Sequence, residues 1–125
     1  MIKVIWLLRR ADHLTLDEFR DWWINNHAHL VASEQKSQLR GYSISVRSSD
    51  EDALAGRPNS DTDWDGIAEQ WFDDGDAFNA VYGRPEAQVT RSDTDDHVSR
   101  LSRIIVTEHT YIPMSVTSAS ERVQS

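Results

Sequence analysis

Apolar residues recur at helical spacing early in the chain: at about 100° per residue Leu16, Phe19, Trp23, His27 and Leu30 fall on one stripe. The pattern predicts an amphipathic helix with an ionisable imidazole in the middle of its apolar face. Thr15 followed by Glu18 is a capping box, which sets the start, and the helix is expected to run to about Ser33. Its other side carries Asp21, Trp22, Asn25 and His29 in place of a clean charged face. The adjacent Trp22 and Trp23 point about 100° apart, so one can face the core while the other flanks a pocket or a partner.

Four segments follow a strand pattern instead. Residues 2–9 place Ile2, Val4, Trp6 and Leu8 on one side and Ile5 and Leu7 on the other, so both faces call for burial. Residues 39–47 alternate Tyr42, Ile44 and Val46 against Ser43, Ser45 and Arg47, with Gly41 weakening the start or marking a bulge. Residues 66–72 set Ile67, Glu69 and Trp71 against Ala68, Gln70 and Phe72, and residues 102–112 bring β-branched residues back. Between the third and fourth strands, N-cap candidates at residues 73–76 introduce a second helix through Phe78, Val81 and Tyr82, which residues 83–85 break. Residues 86–100 are polar and read as irregular or as short helical turns. The acidic connection 48–65 is long for a compact domain, and Trp64 is expected to anchor its end. Asp61, Asp63 and Asp65 lack the closing glutamate of an EF-hand.

The element order is β-α-β-β-α-β, an α+β ferredoxin-like sandwich over residues 1–112 with a polar tail at 113–125. Both helices of that fold cover one sheet face. Apolar residues on both faces therefore predict a homodimer in which two sheets close a dimeric α+β barrel.

Composition narrows the function. A chain of 125 residues fits one domain. A net charge of -8 with no basic cluster argues against nucleic acid and anionic membrane partners. The absence of cysteine excludes disulfides, thiolate chemistry and cysteine-ligated metals. The apolar run at the N-terminus is too short for a signal segment or a membrane span, and a cytoplasmic protein is expected.

Three stretches, residues 16–30 with Trp23-x-x-x-His27-Ala28-x-Leu30, residues 65–73 and residues 103–109, make the chain resemble the EthD family of dimeric α+β barrel proteins. The resemblance implies a small enzyme or accessory protein acting on hydrophobic cyclic or carbonyl-bearing molecules, with neither metal nor organic cofactor. Relatives include methylmuconolactone methylisomerase and fungal enzymes that decarboxylate or dehydrate polyketide intermediates. It also implies that His27 faces the pocket, with Tyr42, Glu69 and Trp71 on strands matched to its walls. His29 stands where proline is common in the family, a departure at the pocket rim.

A histidine on an apolar helix face is either a core residue with satisfied ring nitrogens or a catalytic group. As a catalytic group, His27 would take a proton from carbon next to a carbonyl. Tyr42 would then donate to the enolate, and Glu69 would orient the ring or act as second acid/base. Trp6, Trp23, Trp71 and His29 are the candidate substrate contacts. No metal site is expected, because His27 and His29 point about 200° apart and His13, His97 and His109 lack ligand spacing. The chemistry allowed is isomerisation, cyclisation, dehydration or decarboxylation of a cyclic or aromatic carbonyl substrate. A non-catalytic binding module and a cofactor-free oxygenase are the alternatives.

Overall fold

A computed structural model describes residues 1–48 and 64–115. Strands β1 (Ile2–Arg10), β2 (Gly41–Val46), β3 (Gly66–Phe72) and β4 (Val98–Val106) form one antiparallel sheet in the order β2-β3-β1-β4. The helices are α1 (Leu16–Trp22), a π-helical turn (Trp23–His27), α2 (Ala28–Gln35), α3 (Gly75–Tyr82) and α4 (Ala87–His97). This is the expected ferredoxin-like α+β topology with one helix more than predicted. Among the described residues no helix is long and apolar enough to cross a membrane.

The capping box forms as expected: Thr15 Oγ1 accepts from the Glu18 amide at 3.1 Å, and the Glu18 carboxylate accepts from the Thr15 amide at 3.0 Å. Downstream the helix departs from ideal periodicity. Residues buried beneath it are Phe19, Trp23, His27, Val31 and Gln35, spaced by four throughout, and Leu30 is only half-buried. A spacing of four drifts about 40° per step on a 3.6-residue helix, and the wider π turn takes up that drift. Trp22, three residues after Phe19 on α1, shares its inner side, so both tryptophans are buried.

Strand pairing assigns the two sheet faces. Trp6 lies opposite Ala68 and Arg103, Val4 opposite Gln70 and Ile105, and Tyr42 opposite Gln70, so these side chains share the helix-covered face. Ile5, Leu7, Ile67, Glu69, Trp71 and Ile104 point from the other face, which none of the described helices covers. Two clusters form the core: Leu8, Phe19, Trp22, Trp23 and Ala68 in one, Val4, Phe72, Phe78 and Val81 in the other.

Two boundaries differ from expectation. Residues 86–100 are mostly the regular helix α4, which has no apolar stripe because only Ala87 and Thr90 are buried on it. β4 runs from Val98 to Val106 and does not reach residue 112. Val106 already faces Lys3, which leaves only Ile2 of β1 beyond it, too little strand to pair with residues 107–112. Gly41 opens β2 beneath Trp71, whose ring would lie 2.9 Å from a Cβ at that position. Trp64 carries the Arg100 guanidinium over its ring at 4.8 Å. Asp65 is buried in an ion pair with Arg10 at 2.7 Å, a structural use of that carboxylate. Asp61 and Asp63 lie outside the described residues.

Candidate active site

A cavity of about 420 Å³ lies between the two core clusters, bounded by the sheet, α2, α3 and α4. Trp6, Leu8, Trp23, Tyr42, Ala68 and Phe78 supply most of its apolar wall. His27, Thr90, Thr94, Gln70, Tyr82 and Arg103 are among its polar groups.

His27 sits where the π turn meets α4. Its Nδ1 is 2.7 Å from Asp93 Oδ2, and its Nε2 is 3.3 Å from Thr94 Oγ1. A carboxylate only accepts, so Nδ1 carries the proton in the neutral ring and Nε2 presents a lone pair on the side of the cavity-lining Thr94. The Thr94 hydroxyl donates to the Thr90 carbonyl at 2.9 Å, which leaves its oxygen free to accept from Nε2 once the ring is protonated. The imidazole stacks on Trp22 at 4.7 Å, and the same indole also stacks on His97 at 4.3 Å. The Trp22 Nε1 donates to both Asp93 oxygens at 3.2 Å, so one carboxylate fixes the imidazole and the indole together. Burial holds the His27 pKa below its ordinary value of 6.5; the hydrogen bond and charge of Asp93 oppose the shift, and His97 adds to it. The ring is therefore a neutral base at pH 7.

Tyr42 reaches the same cavity from β2. Burial raises its pKa, with the nearby Tyr82 adding and a hydrogen bond from Trp23 opposing, so the phenol stays protonated. An indole N–H only donates, so that bond uses the Tyr42 oxygen and leaves the hydroxyl proton for an acceptor in the cavity.

A third polar element starts from another obligate donor. Trp6 Nε1 donates to Gln70 Oε1 at 2.7 Å, and Tyr82 donates to the same oxygen at 2.7 Å. This orients Gln70, whose Nε2 donates to Gln35 Oε1 at 2.8 Å. Gln35 Nε2 has no well-aligned acceptor among the described residues, and the chain ends in a buried donor at the cavity floor.

The expected site residues divide between the two faces. His27, Tyr42, Trp6 and Trp23 line one cavity. Glu69 and Trp71 belong to the opposite face of the sheet, where Glu69 pairs with Lys3 and the Trp71 indole approaches Glu108 at 3.4 Å. The group that orients His27 is Asp93, and Glu69 has no part in it. His29 is exposed and lines no part of the cavity, as its position two residues after the inward-facing His27 requires. Sequence reasoning missed Asp93, Thr94, Gln70, Tyr82 and Arg103 as site residues. One signal was present: Thr90, Asp93, Thr94 and His97 recur at helical spacing with polar side chains. Among the described residues no group of three or more His, Asp or Glu is placed to hold a metal ion.

This is a ferredoxin-like α+β protein with a half-open pocket between sheet and helices and a His–Asp pair in its wall. The EthD domain model matches residues 11–101, and the chain belongs to the EthD family. An ethyl tert-butyl ether D family protein from Bacillus halodurans is 20% identical, with a TM-score of 0.66 over 87% of this chain and 99% of that one. A dimeric ferredoxin-like protein from Thermobifida fusca is 19% identical, with a TM-score of 0.62 over 86% of this chain and 90% of that one. The hydroxynitrile lyase of Passiflora edulis is 12% identical, with a TM-score of 0.65 over 90% and 96% of the two chains. A search of curated sequences finds no match to this chain.

Proposed function

We propose that the cavity performs cofactor-independent proton transfer on a cyclic or aromatic carbonyl compound, with His27 as general base. The observation that carries this reading is the His27 imidazole held by Asp93 through Nδ1, with Nε2 on the cavity side. Nε2 takes a proton from the carbon next to the carbonyl, and the C–H electron pair becomes the enolate C=C bond as charge moves to oxygen. The Tyr42 hydroxyl donates to that oxygen. The imidazolium, held by Asp93 and Thr94, returns the proton to another carbon in an isomerisation, or to a leaving group in an elimination. The apolar wall strengthens these interactions by excluding water. The chain supplies both base and donor, and the lyase among its structural neighbours shows that this fold hosts an enzyme.

The test is deuterium uptake at C1 of 2-tetralone in D2O, followed by NMR. The wild-type protein is expected to accelerate exchange over buffer, and Tyr42→Phe to slow it by roughly 10²-fold, the size of a lost oxyanion donor. Binding of the ketone without acceleration would instead identify a non-catalytic binding module.

The same reading includes a homodimer joined through the outer sheet faces around Ile5, Leu7, Ile67 and Ile104, supported by the dimeric Thermobifida fusca neighbour. Light scattering at micromolar concentration is expected to report twice the chain mass of 14.3 kDa. A folded monomer there would contradict it.

A further inference from the structure

We infer that the occupant of the cavity is an anion, a planar ring bearing a carboxylate, and that Arg103 is the residue that recognises it. The inference rests on the same cavity as the proposed proton transfer and adds the substrate class.

Arg103 lies on the edge strand β4 opposite Trp6, on the helix-covered face, so its solvent-exposed side chain lines the cavity at its open side. Its guanidinium sits 5.3 Å from the Phe78 ring centroid and 6.0 Å from that of Trp6. Arginine held against aromatic rings uses its flat π surface there and keeps its in-plane N–H groups for a planar acceptor.

The pairing of charges elsewhere makes this arginine unusual. The chain has 21 acidic against 13 basic residues, so a cation has no shortage of partners. Arg10, Arg40 and Arg84 each bind a carboxylate, and Arg20 and Arg91 donate to backbone carbonyls. Arg103 forms neither kind of bond with any described residue, and its only contacts of note are the two rings. Among the charged groups lining the cavity, Asp95 opposes Arg103 and Arg91 but makes no ion pair with either. With His27 neutral, Arg91 and Arg103 balance Asp95 and the Asp93 carboxylate behind His27, so the cavity has no net charge inside a protein of net charge -8. The field of the whole molecule repels an anion, so its selection has to come from a local contact. A carboxylate satisfies the guanidinium fork, and the apolar wall accepts the ring. A volume of about 420 Å³ accommodates one or two fused rings.

Titration calorimetry at pH 8 with 2-naphthoate and its neutral isostere 2-naphthamide tests this. Wild-type protein is expected to bind the carboxylate roughly tenfold more tightly or better, as for a charge-assisted hydrogen-bonded pair. Arg103→Gln is expected to abolish that preference with naphthamide affinity unchanged, and Arg103→Lys to keep part of it as a point charge. Equal wild-type affinities, a preference that survives in Arg103→Gln, or binding of neither ligand overturns the inference. The preference must also persist in His27→Asn. If it does and the wild type fails to accelerate deuterium exchange, the proton-transfer reading falls and the anion assignment stands; acceleration without the preference gives the reverse.

Discussion

Replacing His27 by Asn is expected to lower the rate of deuterium exchange by roughly 10²- to 10⁴-fold while the protein remains folded, the range of a positioned general base. Asparagine retains an N–H donor, so Asp93 keeps a partner at the end of its 2.7 Å contact. What is lost is the Nε2 lone pair and the stacking on Trp22 at 4.7 Å, a ring contact that stabilises by about 1 kcal/mol. In a domain of this size that corresponds to a melting temperature lower by roughly 4 °C. A histidine with a purely structural role gives the opposite pattern: a large fall in melting temperature and full activity in the surviving folded protein. Both quantities are read on one preparation, and a destabilised but fully active variant would remove His27 from the mechanism.

The second large effect concerns a glycine that fixes the site from behind. A Cβ on Gly66 would lie 2.5 Å from Trp23 Cζ3 and 2.6 Å from the Ser45 carbonyl oxygen. Gly66 pairs with Leu8 on one side and Val46 on the other, so its backbone cannot retreat without opening two ladders. Trp23 is 1% exposed and sealed in the first core cluster, and its ring cannot retreat either. Gly66→Ala is expected to destabilise by about 2–3 kcal/mol, seen as a melting temperature lower by roughly 10 °C. It also displaces the indole that donates to Tyr42, so the exchange rate of the folded fraction should fall. An unchanged melting temperature would mean that the strand and the indole pack less closely than described.

Much of the fold was legible because local chemistry and tertiary packing agree. The capping box at Thr15, the start of β3 at Gly66 and the Asp74 cap of α3 are each set by neighbours within four residues. The faces of β3 were not legible. Each face offers one polar residue among apolar ones, Glu69 or Gln70, and only pairing with the other strands shows that Gln70 is the inner one. A π turn leaves no compositional mark; its trace is a spacing of four carried from Phe19 to Gln35, which reads as an ordinary helix when only residues 16–30 are considered. Helix α4 was hidden because its inward side is polar. That side presents Asp93 and Thr94 to the histidine, so these polar residues take the place of the apolar stripe that would have announced the helix.

The claim that ties these features together is that His27 works as a neutral base with a depressed pKa. The pH dependence of 2-tetralone exchange, corrected for the buffer rate, tests it most directly. Burial stabilises the uncharged imidazole, so the base form is lost only as pH falls through a folded pKa below 6.5, and Tyr42 stays protonated across the neutral range. The account predicts a protein-catalysed rate that rises about tenfold per pH unit below the inflection, as expected for one ionisation, and is level above it. The inflection lies below 6.5 and is absent in His27→Asn. A rate that declines as pH rises from about 5 to 8, or a wild-type profile that His27→Asn reproduces, would contradict it.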